Sequence, residues 1–163
     1  MPMTQTLPDT SDRPSSLPWP PILIVAVIAG ALLLSRIAPL PWPGLDDPAA
    51  HYVGLGLGVL GVVLLVVSIL MLRQAGTTAR PHAGATALVT TGPYRRFRNP
   101  IYLGDCLILF GLAELTKDVW LVVAATVFGF FVTWLAILPE ERYLERRFGR
   151  TYLDYKAKSR RWI

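Results

Sequence analysis

The sequence predicts an all-α, polytopic integral membrane protein, with about four transmembrane helices followed by C-terminal cytoplasmic or interfacial helices. Two observations carry this expectation. Hydrophobic residues make up 53% of the 163 residues and charged residues only 17%, which leaves too little polar surface for a soluble domain of this size. The apolar residues are also gathered into runs of bilayer-crossing length, each bounded by Pro, Gly or charged residues.

Residues 1–20 are rich in Pro, Ser, Thr and Asp and read as a disordered N-terminal tail. The first apolar run begins only near residue 21, without a basic start or a small-residue cleavage site, so no signal peptide is expected. Residues 21–163 read as one membrane domain. Its first span is 21–40, whose rise of about 30 Å matches the hydrocarbon thickness. The second is 49–72. Within it Gly56, Gly58 and Gly61 match G-x-G-x-x-G, but no strand precedes them, so a dinucleotide-binding reading fails. These glycines, with Gly54 and Gly58 as a GxxxG pair, are expected to let another helix approach closely. A third, short span is 101–115, at about 22 Å. A tight turn, Thr116-Lys117-Asp118, leads into the fourth span, 119–138. This hairpin returns Asn99 and Glu140 to one side of the membrane. C-terminal helices are expected over 139–163: one opens at Pro139, Gly149 ends it, and Thr151 with Asp154 suggests a capping box for a second. Leu144, Phe148, Tyr152, Tyr155 and Trp162 would give the tail an interfacial side. Tyr152 and Lys156 match Y-x-x-x-K, which without a parallel sheet is a coincidence.

The net charge is +5. Arg73, Arg80, Arg95, Arg96 and Arg98 lie between the second and third spans, and eight basic residues follow Leu138. The positive-inside rule therefore places the long loop and both termini in the cytoplasm. This topology accounts for the basic excess, and no nucleic acid partner is expected. Cys106 has no partner for an intrachain disulfide. His51 and His82 stand alone, so no metal site is expected.

The chain is organised around residues 86–105, TALVTTGPYRRFRNPIYLGD. Asn99-Pro100 is a helix-start signal, with Asn a candidate cap for the first free N–H groups. A helix N-terminus beside a basic loop suits an anion. Asp105 falls about one turn inside a membrane helix, and intramembrane acids are functional candidates. Pro139-Glu140-Glu141 forms a second polar cluster on the same side, and the two together describe a pocket of mixed charge opening to lipid.

LVTTGPYRRFRNPIYLG, followed by EERYLERRFGRTYLDY, resembles the isoprenylcysteine carboxyl methyltransferase and phospholipid methyltransferase superfamily. The resemblance runs from about Gly76 to the C-terminus. It implies an integral membrane methyltransferase of a bacterial inner membrane that uses S-adenosyl-L-methionine in a pocket closed by the C-terminal helices. The acceptor would be a membrane lipid or a small amphipathic molecule bearing a carboxylate, amine or thiol. By motif, the cofactor contacts are implied at Thr86, Ala87, Leu88, Val89, Tyr94, Asn99, Pro100, Ile101, Tyr102 and Glu140, with Arg98, Asn99 and Tyr102 as catalytic candidates. Two positions depart from the family pattern. Asn99 stands where the family has His. Ala136 stands where the prenylcysteine enzymes carry a substrate-binding arginine, so their substrate does not transfer. The region is also similar to membrane sterol reductases, which leaves an NADPH-dependent reductase as the alternative, beside a non-catalytic protein of the same fold. The sequence leaves the oligomeric state open.

Overall fold

A computed structural model describes residues 17–44, 46–77 and 86–163, and among these the chain is helical with no strand. The helices are α1 (Trp19–Ile37), α2 (Pro48–Gln74), α3 (Pro100–Thr116), α4 (Val119–Val132), α5 (Leu138–Phe148) and α6 (Arg150–Lys158). Residues 1–16 of the expected tail, and Arg80 and His82, lie outside the described residues. Trp19 and Pro20 belong to α1, so the helix starts earlier than expected. Pro20 and Pro21 fit there because the first turn has no use for their missing N–H groups.

Among the described residues, three segments are long and apolar enough to cross a membrane: α1, α2 and the continuous helical stretch Val119–Phe148. At 17 residues α3 is shorter, and it is enclosed between α2 and α4. The side-by-side order is α2, α3, α4, α1, so α1 packs on α4 rather than on its neighbour in sequence. Large apolar side chains such as Val25, Leu33, Val53 and Val59 point outward, as expected where lipid replaces water as the solvent.

Packing of α2 on α3 depends on glycine on both helices. A Cβ at Gly61 would lie 2.7 Å from the Gly104 carbonyl oxygen, and one at Gly104 would lie 2.8 Å from that of Gly61. One at Gly111 would lie 2.6 Å from the Gly58 nitrogen and 2.8 Å from the Gly54 oxygen. Backbone meets backbone here, which is how helices gain dispersion contact when lipid removes the hydrophobic drive between them. The close approach expected of the α2 glycines is present at Gly54, at the Gly58 backbone and at Gly61, with Gly104 and Gly111 as partners, but not at Gly56, where an added Cβ would meet nothing within 4 Å.

At the end of the bundle remote from Asn99, the α3–α4 turn is set by Lys117 in the left-handed conformation, with φ 54°. Asp118 then caps α4, accepting from the Trp120 N–H at 2.9 Å, and also accepts from the Ser35 hydroxyl of α1. The Trp120 indole donates to the Ala38 carbonyl at 2.8 Å. Together these bonds tie α1 to the hairpin.

The chain does not break between α4 and the tail. It passes through one π turn, Thr133–Ile137, in which the Leu138 N–H bonds the Thr133 carbonyl, and continues as α5. Pro139 has no N–H, and its ring would crowd the Leu135 carbonyl in a regular helix; one extra residue in the turn relieves both conflicts. Gly149, at φ +52°, ends α5 as expected. Contrary to the expected capping box, α6 begins at Arg150, and Asp154 pairs with Arg150 at 3.2 Å, one turn away. The tail aromatics also differ from expectation. Tyr143 and Tyr152 are 1% exposed and Trp162 packs against the core, so this side of the tail serves the interior rather than an interface. Lys156 pairs with Glu145.

The glycine contacts yield a test. Gly104→Val or Gly61→Val should destabilise the fold by at least 1–3 kcal/mol, because the opposing atoms are backbone and cannot move aside. Gly56→Ala, where nothing lies within 4 Å, should be neutral or slightly stabilising. Thermal unfolding of the three variants in detergent makes the comparison.

Candidate functional site

Where α3 begins, the chain forms a cleft holding about 630 Å³ of empty space, part of it open to solvent. It is lined by Leu72 of α2, by Ala87, Leu88 and Val89, by Tyr94, by Arg98 to Tyr102, by Glu140 and Leu144 of α5, and by Tyr155 of α6. Ala87, Leu88, Val89, Tyr94, Arg98, Asn99, Pro100, Ile101, Tyr102 and Glu140 are therefore brought to one place. Thr86 is not. Its hydroxyl donates to the Gly76 carbonyl at 2.9 Å and its N–H to the Thr77 hydroxyl at 3.4 Å, so it pins the ends of the loop beyond α2.

Sequence reasoning missed Leu72, Leu144 and Tyr155. Leu144 was findable, since it lies four residues after Glu140 and so on the same helix face. Tyr155 had no local signal. It reaches the cleft because its hydroxyl donates to the Tyr94 carbonyl at 2.7 Å, across 61 residues of sequence.

Two adjacent glutamates have opposite surroundings. Glu141 is 5% exposed and receives two arginines. The Arg98 Nε donates to its Oε1 at 3.0 Å; the Arg161 Nε and Nη2 donate to Oε1 and Oε2 at 3.0 and 2.7 Å. The Arg98 Nη1 also donates to the carbonyls of Lys156 and Ser159, at 3.1 and 2.5 Å. Beside it, the Arg98 N–H donates to the Arg160 carbonyl and the Arg160 N–H to the Arg96 carbonyl, at 2.7 and 2.8 Å. The last residues of the chain are thus latched to the loop before α3. Glu140, one residue earlier, makes no hydrogen bond or ion pair with any described residue and faces the cleft.

Asn99 does not cap α3 as expected. Its side-chain amide donates to the Arg161 carbonyl at 3.1 Å instead, so no side chain among the described residues covers the free N–H groups of Ile101 and Tyr102. The Tyr94 hydroxyl is buried without a partner among the described residues. Burial, helped by the charge on Glu140, pushes this phenol well above its usual value of 10, so it remains a protonated donor. Burial likewise pushes Tyr155 up to about 12. Among the described residues, no group of three or more His, Cys, Asp or Glu side chains could hold a metal ion.

The latch predicts a stability pattern. Glu141→Ala strands a guanidinium that is only 10% exposed and should cost about 3 kcal/mol. Arg161→Ala should cost about 1 kcal/mol, because this side chain is 37% exposed. Glu140→Ala should change stability by less than about 0.5 kcal/mol. Denaturation midpoints of the three variants test that order.

A family profile for phospholipid methyltransferase matches residues 49–151, which takes in α2 through α5 and all but Tyr155 of the cleft lining. Human phosphatidylethanolamine N-methyltransferase is 35% identical over 96 residues, 58% of this chain and 44% of the relative. The nickel-cobalt-cadmium resistance protein NccN of Alcaligenes xylosoxydans xylosoxydans is 29% identical over 137 residues, 84% of this chain and 59% of the relative. The chain thus spans about half the length of these curated relatives. No solved structure matches it. With the profile covering well over half of its residues, this integral membrane chain belongs to the phospholipid methyltransferase family.

Proposed function

We propose that the chain is an S-adenosyl-L-methionine-dependent methyltransferase, that the cofactor occupies the cleft at the start of α3, and that the acceptor is a lipid-like or small amphipathic molecule entering from the bilayer. The observation that carries this reading is the contrast between Glu141, paired with two arginines, and its neighbour Glu140, a carboxylate lining the cleft with no partner among the described residues. A half-buried carboxylate without a protein partner calls for a cationic ligand. The cofactor bears a sulfonium, an ammonium, a carboxylate, ribose hydroxyls and a flat base. The cleft has a group suited to each: Glu140 for the ammonium, the uncapped N–H groups of Ile101 and Tyr102 for the carboxylate, and the orphaned Tyr94 hydroxyl for a ribose oxygen. Leu72, Leu88, Val89 and Leu144 suit the base. Membership of the family and the lipid in the human relative's name support the same reading.

When bound, the cofactor supplies a methyl group activated by its sulfonium. The chain's own contribution is orientation and exclusion of water. Glu140 and the start of α3 hold the two ends of the amino-acid moiety. Leu72 and Leu144 keep the mouth apolar. Arg98, whose Nε and Nη1 are committed to Glu141 and to backbone carbonyls, acts as a positioning residue that keeps the C-terminal latch shut beside the cleft. The same commitment weakens the reductase alternative. NADPH carries three phosphates, and among the described residues the only cation lining the cleft is Arg98. The positive-inside pattern supports a cytoplasmic side for the cleft.

Glu140→Ala should weaken binding of S-adenosylhomocysteine by about ten- to a hundredfold, the range expected for a buried charged hydrogen bond, with thermal stability unchanged. Calorimetry on purified protein in detergent tests this. Undiminished affinity would remove Glu140 from the site, and tight binding of NADPH in its place would favour the reductase.

A further inference from the structure

Tyr155 lines two pockets. One is the cleft, and the other is formed with Thr90, Arg95, Thr151, Asp154 and Lys158. No other residue lines both, so the second pocket is a separate place. One of its walls comes from the loop before α3 and the other from α6. Two hydrogen bonds hold these walls together. The Tyr155 hydroxyl donates to the Tyr94 carbonyl at 2.7 Å, and the Arg160 N–H donates to the Arg96 carbonyl at 2.8 Å. The bonded residues flank Arg95 on one wall and Lys158 on the other, so both cations stand on backbone that is already in place, and little order remains to be imposed by a ligand.

Each wall supplies one cation and one hydroxyl: Arg95 and Thr90 from the loop, Lys158 and Thr151 from α6. None of these four side chains makes a hydrogen bond or ion pair with any described residue. The one acid of the pocket, Asp154, is engaged by Arg150 of its own helix at 3.2 Å, which leaves the charges of Arg95 and Lys158 uncompensated. Two like charges lining one pocket repel, and an anion between them replaces that repulsion with attraction to both.

The donor set indicates which anion. A carboxylate is planar and a single guanidinium fork satisfies it. A phosphate group is tetrahedral and accepts from several directions at once, which suits a fork from Arg95, a compact charge from Lys158 and hydroxyls from Thr90 and Thr151. We infer that this pocket binds a phosphate group, which clamps α6 to the loop before α3. The group is carried by an anionic lipid of the adjoining leaflet or is free phosphate. It is distinct from the methyl acceptor and from the cofactor, because Tyr155 stands between it and the cleft, and the inference holds whatever the cleft binds.

The test is calorimetric binding to purified protein in neutral detergent at constant ionic strength. One arm uses inorganic phosphate, and the other uses short-chain phosphatidylglycerol, which has no nitrogen to methylate. The proteins are the wild type, Arg95→Gln, Lys158→Gln, the two combined, and a control combining Arg142→Gln with Arg147→Gln, which removes the same charge from α5 outside the pocket. Arg95 and Lys158 are exposed, so unfolding midpoints without ligand should match the wild type. Each single pocket substitution should weaken binding about fivefold and the pair about thirtyfold, while the control binds like the wild type. Saturation by phosphatidylglycerol alone assigns the site to a lipid headgroup, and saturation by inorganic phosphate assigns it to the free anion. The absence of saturable binding in both arms, or an equal loss in the control and the pocket pair, overturns the proposal, since the basic surface would then attract anions only as a whole.

Discussion

The carboxylate of Glu141 is the interaction on which the site depends. It joins α5 to Arg98, from the loop before α3, and to Arg161, at the end of the chain. Burying one acid with two arginines is costly, and such an arrangement is stable only when the remaining donors are satisfied. Here the carbonyls of Lys156 and Ser159 take the Arg98 Nη1. Glu141 thereby fixes where α5 ends up relative to α3, and that in turn places Glu140 in the cleft. A pair of glutamates that looks redundant in sequence is divided between two tasks, one holding the wall together and the other left open to a ligand.

The bilayer shapes everything below this latch. Lipid contributes little to holding helices together, so α2 and α3 rely on direct backbone contact through Gly54, Gly58 and Gly61 against Gly104 and Gly111. That contact has a functional consequence. It carries Leu72, near the end of α2, into the lining of the cleft. A bulkier seam would separate α2 from α3 and remove one wall of the cleft.

The π turn before Pro139 is the local irregularity that makes the two halves compatible. Each inserted residue rotates the rest of the helix by about 100° about its axis. Without it, Glu140 and Glu141 would present different faces to Arg98 and to the cleft. The proline that enforces this turn also marks where the apolar segment yields to the charged one, so the helix leaves the hydrocarbon without a break and carries the acids straight to the site. Ala136, inside the turn, is 2% exposed and belongs to the core.

The sequence by itself determined the helical class and the runs that become α1, α2, α3 and α4, and its resemblance to a known family implied most of the residues that line the cleft. These rest on signals local to the chain: apolar run length, Pro and Gly punctuation, and two motif blocks whose residues sit next to one another on a helix start or a turn. Tertiary structure alone decided what depended on distant groups. Asn99 looked like a cap, but the Arg161 carbonyl, 62 residues away, competes for its amide. Arg98 was a catalytic candidate by motif, but its Nε and Nη1 are taken by Glu141 and by the carbonyls of Lys156 and Ser159. Thr86 lay inside the motif yet bonds backward to Gly76, because the loop ends must close. Tyr155 entered the cleft through a carbonyl that no pattern links to it. Local propensity is written in neighbouring residues, whereas the choice among possible hydrogen-bond partners is made by whichever helix packing brings within about 3 Å, and that is a property of the folded chain.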